Sequence, residues 1–178
     1  MAEELARLVP GYLPAVLVIR DEREGELDSR YRNETMILRA FAPALDSGTA
    51  VLAGWKPGGC EPAAMEDFLS SLDHERGDSS SLFDICYLGL GVDGHTAGLF
   101  PGDPALVSGA FAVRGRAPEF PQERLSLGIV ALRSANRTRF LVRSAGKERA
   151  LARLGSGDLG CPAVLAATGD SIAFVAAY

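Results

Sequence analysis

The sequence predicts a single-domain α/β protein with three layers, in which helices cover both faces of a mostly parallel, doubly wound sheet. Short aliphatic runs typical of buried strands alternate with longer segments of helical periodicity. The composition, with 47% hydrophobic and 23% charged residues over 178 positions, is that of one globular domain. Because no internal repeat or low-complexity segment interrupts the chain, we expect residues 1–178 to form one domain.

Charge and cysteine usage restrict the possible partners. The net charge of −5 leaves no basic surplus for nucleic acid, although a small anionic substrate needs only a few local cations. No apolar run approaches the roughly 20 residues of a membrane span, and the N-terminus lacks the pattern of a signal peptide. Cys60, Cys86 and Cys161 are widely spaced, which indicates reduced thiols, with Cys86 a small buried apolar residue. We therefore expect a cytoplasmic protein that binds neither nucleic acid nor membrane.

The first half of the chain alternates helices with strands. The charged residues 20–23 follow the first strand and, taken alone, are typical of a solvated turn. Asp28-Ser29 offers an N-cap for the helix that follows it, and Pro62 suits the first turn of a later helix. The expected elements are a helix over 1–9, a strand over 15–19, a helix with an apolar face over 36–41 that Pro43 ends, a strand over 50–53, and a helix from Pro62 through Leu72.

The most informative stretch follows a buried strand expected over residues 85–90. Three glycines then permit a sharp turn and a close approach to a ligand; they are Gly89, Gly91 and Gly94. Asp93 and His95 lie within this turn, and small and apolar residues from 96 to 100 are expected to begin a helix. The glycine spacing is that of a dinucleotide fingerprint, but an Asp and a His occupy the tip where phosphate oxygens would need room. The pattern therefore favours acid–base chemistry at the carboxyl end of a strand.

The second half continues the alternation after an irregular segment. Residues 102–121 are expected to be either a loop that covers the site or variable surface. The expected elements are a strand from Glu123 through Val130, a strand over 139–142, a helix from Ser144 through Leu154, and a last strand over 172–176. Lys147 would lie near a helix N-terminus, where a cation is poorly placed unless an anion joins it.

Residues 89–102, Gly-Leu-Gly-Val-Asp-Gly-His-Thr-Ala-Gly-Leu-Phe-Pro-Gly, resemble the signature of the 6-phosphogluconolactonases, relatives of glucosamine-6-phosphate deaminase. The resemblance extends over nearly the whole chain and implies a fold like that of sugar-phosphate isomerases and CoA transferases. Leu99-Phe100-Pro101 favours the lactonase branch over the deaminase branch. The implied activity is hydrolysis of 6-phosphogluconolactone to 6-phosphogluconate in the pentose phosphate pathway.

The resemblance also implies roles for particular residues. His95 is expected to be the general base, and Asp93 to orient it or to contact a sugar hydroxyl. The substrate would be bound by the turn glycines and by three cations that are expected to hold its phosphate. These residues are Gly91, Gly94, Arg23, Arg124 and Lys147. Neither a metal nor a cofactor is required.

One element of the family is missing from the sequence. Lactonases usually begin with a strand that ends in a Gly-Gly-Ser-Thr-Pro-like phosphate loop, and residues 1–20 do not match it. Its absence is expected to leave a gap or to bring neighbouring strands together, and an exposed edge would favour a homodimer. A compact variant, a chain that starts too far downstream and a divergent inactive member remain alternative explanations.

Two other functions remain open at this point. One is a catalytically inactive member of the family that binds sugar phosphates or a protein partner. The other is an amino-sugar-phosphate isomerase or deaminase, which would need a second carboxylate base at the site. Asp21 and Glu22 are the candidates for that carboxylate.

Overall fold

The structure is a computed structural model that describes residues 15–23, 32–55, 62–76, 81–118 and 123–177. The strands are β1 (Ala15–Val18), β2 (Asp21–Arg23), β3 (Ala50–Ala53), β4 (Phe83–Leu88), β5 (Ala112–Arg116), β6 (Glu123–Leu127), β7 (Ala135–Arg143) and β8 (Ser171–Ala176). The α-helices are α1 (Asn33–Asp46), α2 (Ala63–Arg76), α3 (Ile129–Arg133), α4 (Glu148–Ser156) and α5 (Pro162–Ala166). A 3₁₀ helix spans Pro104–Val107. The predicted α/β class is confirmed.

The described strands form three hydrogen-bonded groups. β1 pairs in parallel with β3, and β7 lies between β4 and β8 with both neighbours parallel to it. The third group, in the order β2–β6–β5, is antiparallel. The sheet is therefore mostly parallel, as predicted, with an antiparallel addition that the sequence pattern did not indicate.

The antiparallel group occupies a region that was expected to be irregular or a longer strand. Asp103 organises it, because its carboxylate accepts the Ala105 N–H at 2.9 Å and the Arg116 N–H at 2.6 Å. These two hydrogen bonds join the start of the 3₁₀ helix to β5. β6 ends at Leu127 rather than at Val130, because Gly128 caps the N-terminus of α3.

Two predicted helix positions are wrong. Residues 96–100 form a tight turn instead of a helix, with paired backbone groups of Thr96 and Leu99 and a positive φ of 50° at Ala97. α1 continues past Pro43 to Asp46, and the Pro43 carbonyl accepts the Ser47 N–H at 3.2 Å. The predicted helix over 1–9 and the predicted cap at Asp28-Ser29 lie outside the described residues.

The N-terminus of α1 is capped by a residue distant in sequence. The Glu22 carboxylate accepts the N–H groups of Asn33 and Glu34, each at 2.8 Å. Glu22 also forms an ion pair with Arg32 at 3.7 Å, and both side chains are buried. These contacts hold α1 against β2. They also give hydrogen-bond acceptors to two N–H groups that a helix start otherwise leaves unpaired.

The hydrophobic core lies between the sheets and their helices. Leu69, Leu99, Leu125, Leu132 and Phe140 are all at most 1% exposed within one continuous cluster. Cys86 belongs to this cluster, as predicted, and burial raises its pKa to about 11. No helix among the described residues is long and apolar enough to cross a membrane.

β1 and β4 face one another across an opening of about 380 Å³, which we call the β1–β4 groove. The described residues include no strand that pairs with both of them. At the carboxyl ends of the two strands, Arg20 crosses the groove and donates to the Tyr87 carbonyl at 3.1 Å. The described part of the chain thus contains the gap that the resemblance to the family led us to expect.

Candidate active site

The carboxyl ends of β1 and β4 open onto a cavity of about 450 Å³. Segments from five parts of the chain meet there: the residues around β2, the start of α1, the turn after β4, the start of β6 and the start of α4. His95, Gly91, Arg23, Arg124 and Lys147, all predicted from the sequence, line this one cavity. The fold therefore brings together residues that are up to 124 positions apart.

The turn after β4, residues 89–96, is hereafter called the Asp–His turn. The Gly91 N–H donates to the His95 carbonyl at 2.8 Å, and the Thr96 hydroxyl donates to the Gly89 carbonyl at 2.7 Å. Gly94 adopts a φ of +94°, a conformation that side-chain-bearing residues rarely adopt. The glycine spacing seen in the sequence thus folds the chain back on itself and presents the imidazole to the cavity.

Asp93 and His95 form the central pair of the site. One Asp93 carboxylate oxygen lies 2.6 Å from His95 Nδ1 and also accepts the His95 backbone N–H at 3.0 Å. Burial by itself would raise the pKa of Asp93, but these hydrogen bonds and the His95 charge together hold it below its usual range. Since Nδ1 faces the carboxylate, Nε2 is the ring nitrogen that can serve a water molecule or a substrate.

The imidazole is also held by packing. Its centroid lies 4.6 Å from that of the Phe100 ring. A Cβ added to Gly91 would overlap the imidazole ring. Gly91 is therefore required for the space that the imidazole occupies.

The Asp–His turn is supported from behind by α4 and α5. Arg153 donates to the Asp93 carbonyl at 2.9 Å and forms an ion pair with Asp158 at 2.6 Å. The Gly94 carbonyl accepts the Ala163 N–H at 3.2 Å. A Cβ on Gly94 would meet the Cys161 sulfur, so this glycine lies at the back of the turn and not in the cavity lining.

Four cationic side chains line the cavity. Arg23 and Arg124 are register partners on β2 and β6, and Arg20 and Lys147 also line the cavity. Burial, followed by the Arg23 charge, lowers the pKa of Arg124, while Asp21 and Glu22 act in the opposite direction. Several like charges around one cavity favour an anionic ligand, which would relieve their mutual repulsion.

Lys147 lies one residue before α4, at its N-cap position. The helix was expected to begin at Ser144, so the lysine precedes the helix rather than lying within it. The side chain nonetheless lines the cavity beside the unpaired N–H groups of the helix start. That an anion joins this cation stays a prediction.

Residues 15–173 match the sequence model of the family described as glucosamine-6-phosphate isomerases/6-phosphogluconolactonase. The chain belongs to this family. It is 36% identical to 6-phosphogluconolactonase of Rattus norvegicus over 94 residues, which are 51% of this chain and 37% of the relative. It is 30% identical to 6-phosphogluconolactonase of Synechocystis over 138 residues, 75% of this chain and 57% of the relative. The aligned part thus spans about half the length, or less, of these curated relatives.

Solved structures confirm the fold. A 6-phosphogluconolactonase from Shewanella baltica OS155 superimposes with a TM-score of 0.71 at 22% identity and covers 98% of this chain and 93% of that one. A monomeric glucosamine-6-phosphate deaminase gives the same TM-score of 0.71 at 21% identity, covering 98% of this chain and 79% of that one. Both branches of the family share this fold, so the chemistry must be argued from the site.

The two carboxylates that a deaminase-type reaction could use occupy different positions. Glu22 is fully buried and caps α1, so it is not part of the cavity lining. Asp21 lines the cavity, but it forms an ion pair with Arg20 at 3.2 Å and contacts the Asn33 amide at 3.3 Å. The structure therefore leaves Asp21 as the one candidate of this pair that reaches the cavity.

Three cavity residues with polar side chains were not singled out in the sequence as site residues: Arg20, Asn33 and Thr96. Arg20 belongs to the charged cluster that follows β1, and its place in that cluster is a sequence signal that could have indicated it. Asn33 enters the cavity through the contact of α1 with β2, for which no sequence signal exists. In the described part of the chain, no group of three or more His, Cys, Asp and Glu side chains could hold a metal ion.

Proposed function

We propose that this protein hydrolyses 6-phosphogluconolactone to 6-phosphogluconate. The observation that carries the proposal is the Asp93–His95 pair, with a separation of 2.6 Å, at the edge of a cavity lined by Arg23, Arg124 and Lys147. The pair supplies a positioned base, and the cations suit a phosphate group on the same substrate. Lactonases from the rat and from Synechocystis are among its relatives.

The proposed reaction begins when His95 Nε2 removes a proton from a water molecule as the water oxygen attacks the lactone carbonyl carbon. The imidazolium that forms is stabilised by the Asp93 carboxylate at Nδ1. Collapse of the tetrahedral intermediate breaks the bond to the ring oxygen, which takes up the proton from Nε2. The ring opens to the carboxylic acid, and the base is regenerated.

The cations act at a distance from the bond that breaks. Arg23, Arg124 and Lys147 would bind the phosphate and position the lactone carbonyl at His95. Binding energy from a remote phosphate is an established way of reducing the entropic cost of bringing reactants together. We place the activity in the cytoplasm, where buried free thiols such as Cys86 and Cys161 stay reduced.

The deciding experiment measures lactone hydrolysis by the 178-residue chain above the spontaneous rate, with His95→Ala in parallel. We expect clear turnover that His95→Ala lowers by about 10²–10⁴-fold, the usual contribution of a general base. Absence of turnover from a folded protein would favour the inactive, sugar-phosphate-binding alternative. Turnover that does not depend on His95 would contradict the assigned base.

A second substrate tests the phosphate site separately. Arg124→Gln should raise KM for the phosphorylated lactone by about tenfold or more, because it removes a charge-assisted contact. Hydrolysis of unphosphorylated gluconolactone by the same variant should be unchanged. Equal effects on both substrates would mean that Arg124 does not act on the phosphate.

A further inference from the structure

Arg20 reaches the cavity from the carboxyl end of β1 and is held at two of its three side-chain nitrogens. Nη1 donates to the Tyr87 carbonyl at 3.1 Å, and Nε forms an ion pair with an Asp21 carboxylate oxygen at 3.2 Å. Because a guanidinium is planar and rigid, contacts at two different nitrogens fix both its plane and its direction. The chain itself therefore sets the position of this charge.

Asp21, which holds Arg20, is in turn held from its other side. The second Asp21 carboxylate oxygen contacts Asn33 Nδ2 at 3.3 Å, and the same amide nitrogen donates to the Asp21 backbone carbonyl at 2.8 Å. Asp21 is 8% exposed. Contacts thus run from α1 through Asp21 to Arg20 and end on β4, so a displacement of any of these side chains would break at least one of them.

The third nitrogen of Arg20 is available to a ligand. Nη2 takes part in neither contact and has no hydrogen-bond partner among the described residues. It lies 4.0 Å from the position that a Cβ on Gly89 would take, and both residues line the cavity. The Arg20 side chain is 35% exposed. Nη2 therefore offers unused N–H donors to the cavity, in the fork geometry that suits phosphate oxygens.

The backbone places Arg20 between two of the other cations. The Arg20 carbonyl accepts the Leu127 N–H at 2.7 Å, which puts Arg20 beside β6, the strand that carries Arg124. The Arg20 guanidinium reaches Tyr87 on β4, and β4 pairs with β7, the strand that precedes Lys147. Arg20 thus spans the distance from the strand of one cation to the strand that leads to the other.

The charges that line the cavity do not balance. The described lining residues include four cationic side chains and one carboxylate, Asp21, which is already paired with Arg20. A phosphate group carries up to about two negative charges near neutral pH, whereas a lactone carbonyl is uncharged before it reacts. The surplus of positive charge is therefore matched by a phosphate group rather than by the lactone ring.

We propose that Arg20 is a fourth phosphate-binding residue of this cavity and that it contributes to the preference for a phosphorylated substrate. Nη2 would donate to a phosphate oxygen placed between Arg124 and Lys147, while Nη1 and Nε keep their contacts with Tyr87 and Asp21. This inference deepens the proposed function and rests on its phosphorylated substrate.

The test compares the binding of 6-phosphogluconate and of gluconate to the wild type and to Arg20→Gln, by calorimetry. Both probes carry the same carboxylate and hydroxyl groups, and only the first has a phosphate. We expect Arg20→Gln to weaken 6-phosphogluconate binding by about tenfold or more, because it removes a charge-assisted donor, and to leave gluconate binding unchanged. Unchanged 6-phosphogluconate binding would overturn the proposal. Equal weakening for both probes would also do so, because Arg20 would then contact the sugar acid.

Arg137→Gln is the matched control. It removes the same charge from β7, where the Arg137 side chain is 59% exposed, pairs with Asp170 at 3.6 Å and is not part of the cavity lining. Both affinities should equal those of the wild type. If both variants lose the same affinity for 6-phosphogluconate, the loss reflects net charge alone and the proposal fails.

A measurement on the wild type covers the case in which Arg20→Gln does not fold. In a nitrogen-15 NMR titration, the side-chain N–H resonances of Arg20 should shift with 6-phosphogluconate and not with gluconate, while those of Arg137 stay in place. No shift at Arg20 under saturating 6-phosphogluconate would contradict the inference. These binding measurements need no turnover, so a chain that fails to hydrolyse the lactone can still bind phosphate through Arg20, and an active chain can fail to do so.

Discussion

The Asp–His turn and the β1–β4 groove begin at the same end of the sheet but differ in how completely their polar groups are satisfied. In the turn, Asp93, Arg153 and Ala163 hold the backbone and the imidazole through contacts within the chain. In the groove, the edges of β1 and β4 have no common partner among the described strands. The imidazole therefore has a fixed position in the first region, whereas in the second no described strand joins the two edges.

The difference shows where this fold is rigid and where it can change. The hydrogen bond to Asp93 and the packing against Phe100 favour a single orientation of His95, which suits a general base. Strand edges that no described strand joins, and half-exposed apolar side chains, contribute little to the stability of the chain. Four sets of variants test this contrast.

The largest expected effect is from Gly91→Ala. The new Cβ would overlap the His95 ring, so the imidazole must leave its position beside Asp93. We expect lactone hydrolysis to fall by about 10²–10³-fold, close to the loss from removing the base itself. Gly109→Ala is the control, since nothing lies within 4 Å of its added Cβ. Full activity of Gly91→Ala would show that the turn tolerates a displaced ring.

The next comparison uses two residues of β4. Leu88→Ala should lower the free energy of unfolding by about 2–5 kcal/mol, because the side chain is 1% exposed in the core. Ile85→Ala should cost about 1 kcal/mol, because its side chain is 40% exposed in the groove. Urea unfolding measures both. Similar costs for the two variants would mean that the groove is already filled in the isolated chain.

Arg153 is a positioning residue in this scheme, since it contacts the backbone of the turn and not the cavity. Arg153→Met should lower kcat by about tenfold with little change in KM, because a displaced base slows the reaction without altering phosphate binding. Arg149→Met, on the same helix α4, is the matched control. A rise in KM alone would instead assign Arg153 to substrate binding.

The smallest effect concerns acid stability. The pKa of Asp93 is lowered in the folded protein, so its contribution is present above the ordinary carboxyl value of 3.8 and is lost as pH falls through the lowered pKa. Asp93→Asn should therefore have a lower Tm than the wild type near neutral pH, and the difference should vanish in strong acid. A difference that is constant across the titration would exclude this linkage.

The local parts of the fold were predictable from the sequence because their signals are local. The aliphatic runs at 15–19, 50–53 and 172–176 correspond to β1, β3 and β8. The proximity of Asp93 to His95 follows from a turn that its own glycines produce. Lys147 was located by the chemistry of a helix start.

Other features arise only when distant segments meet. The pairing of Arg23 with Arg124 depends on the register of β2 and β6, and β6 is too short and polar for its antiparallel partners to be recognised. The start of α1 depends on Glu22, a capping carboxylate more than ten residues away, for which no local pattern exists.

The amino-acid sequence by itself determined the alternation of helices and strands and the proximity of Asp93 to His95, since hydrophobic periodicity and glycine turns act over a few residues. Only the tertiary structure decided which cations share the cavity and which carboxylate serves as a helix cap. It also decided that β1 and β4 face an open groove. Strand order and register are set by the packing of the whole sheet, and no short stretch of sequence carries that information.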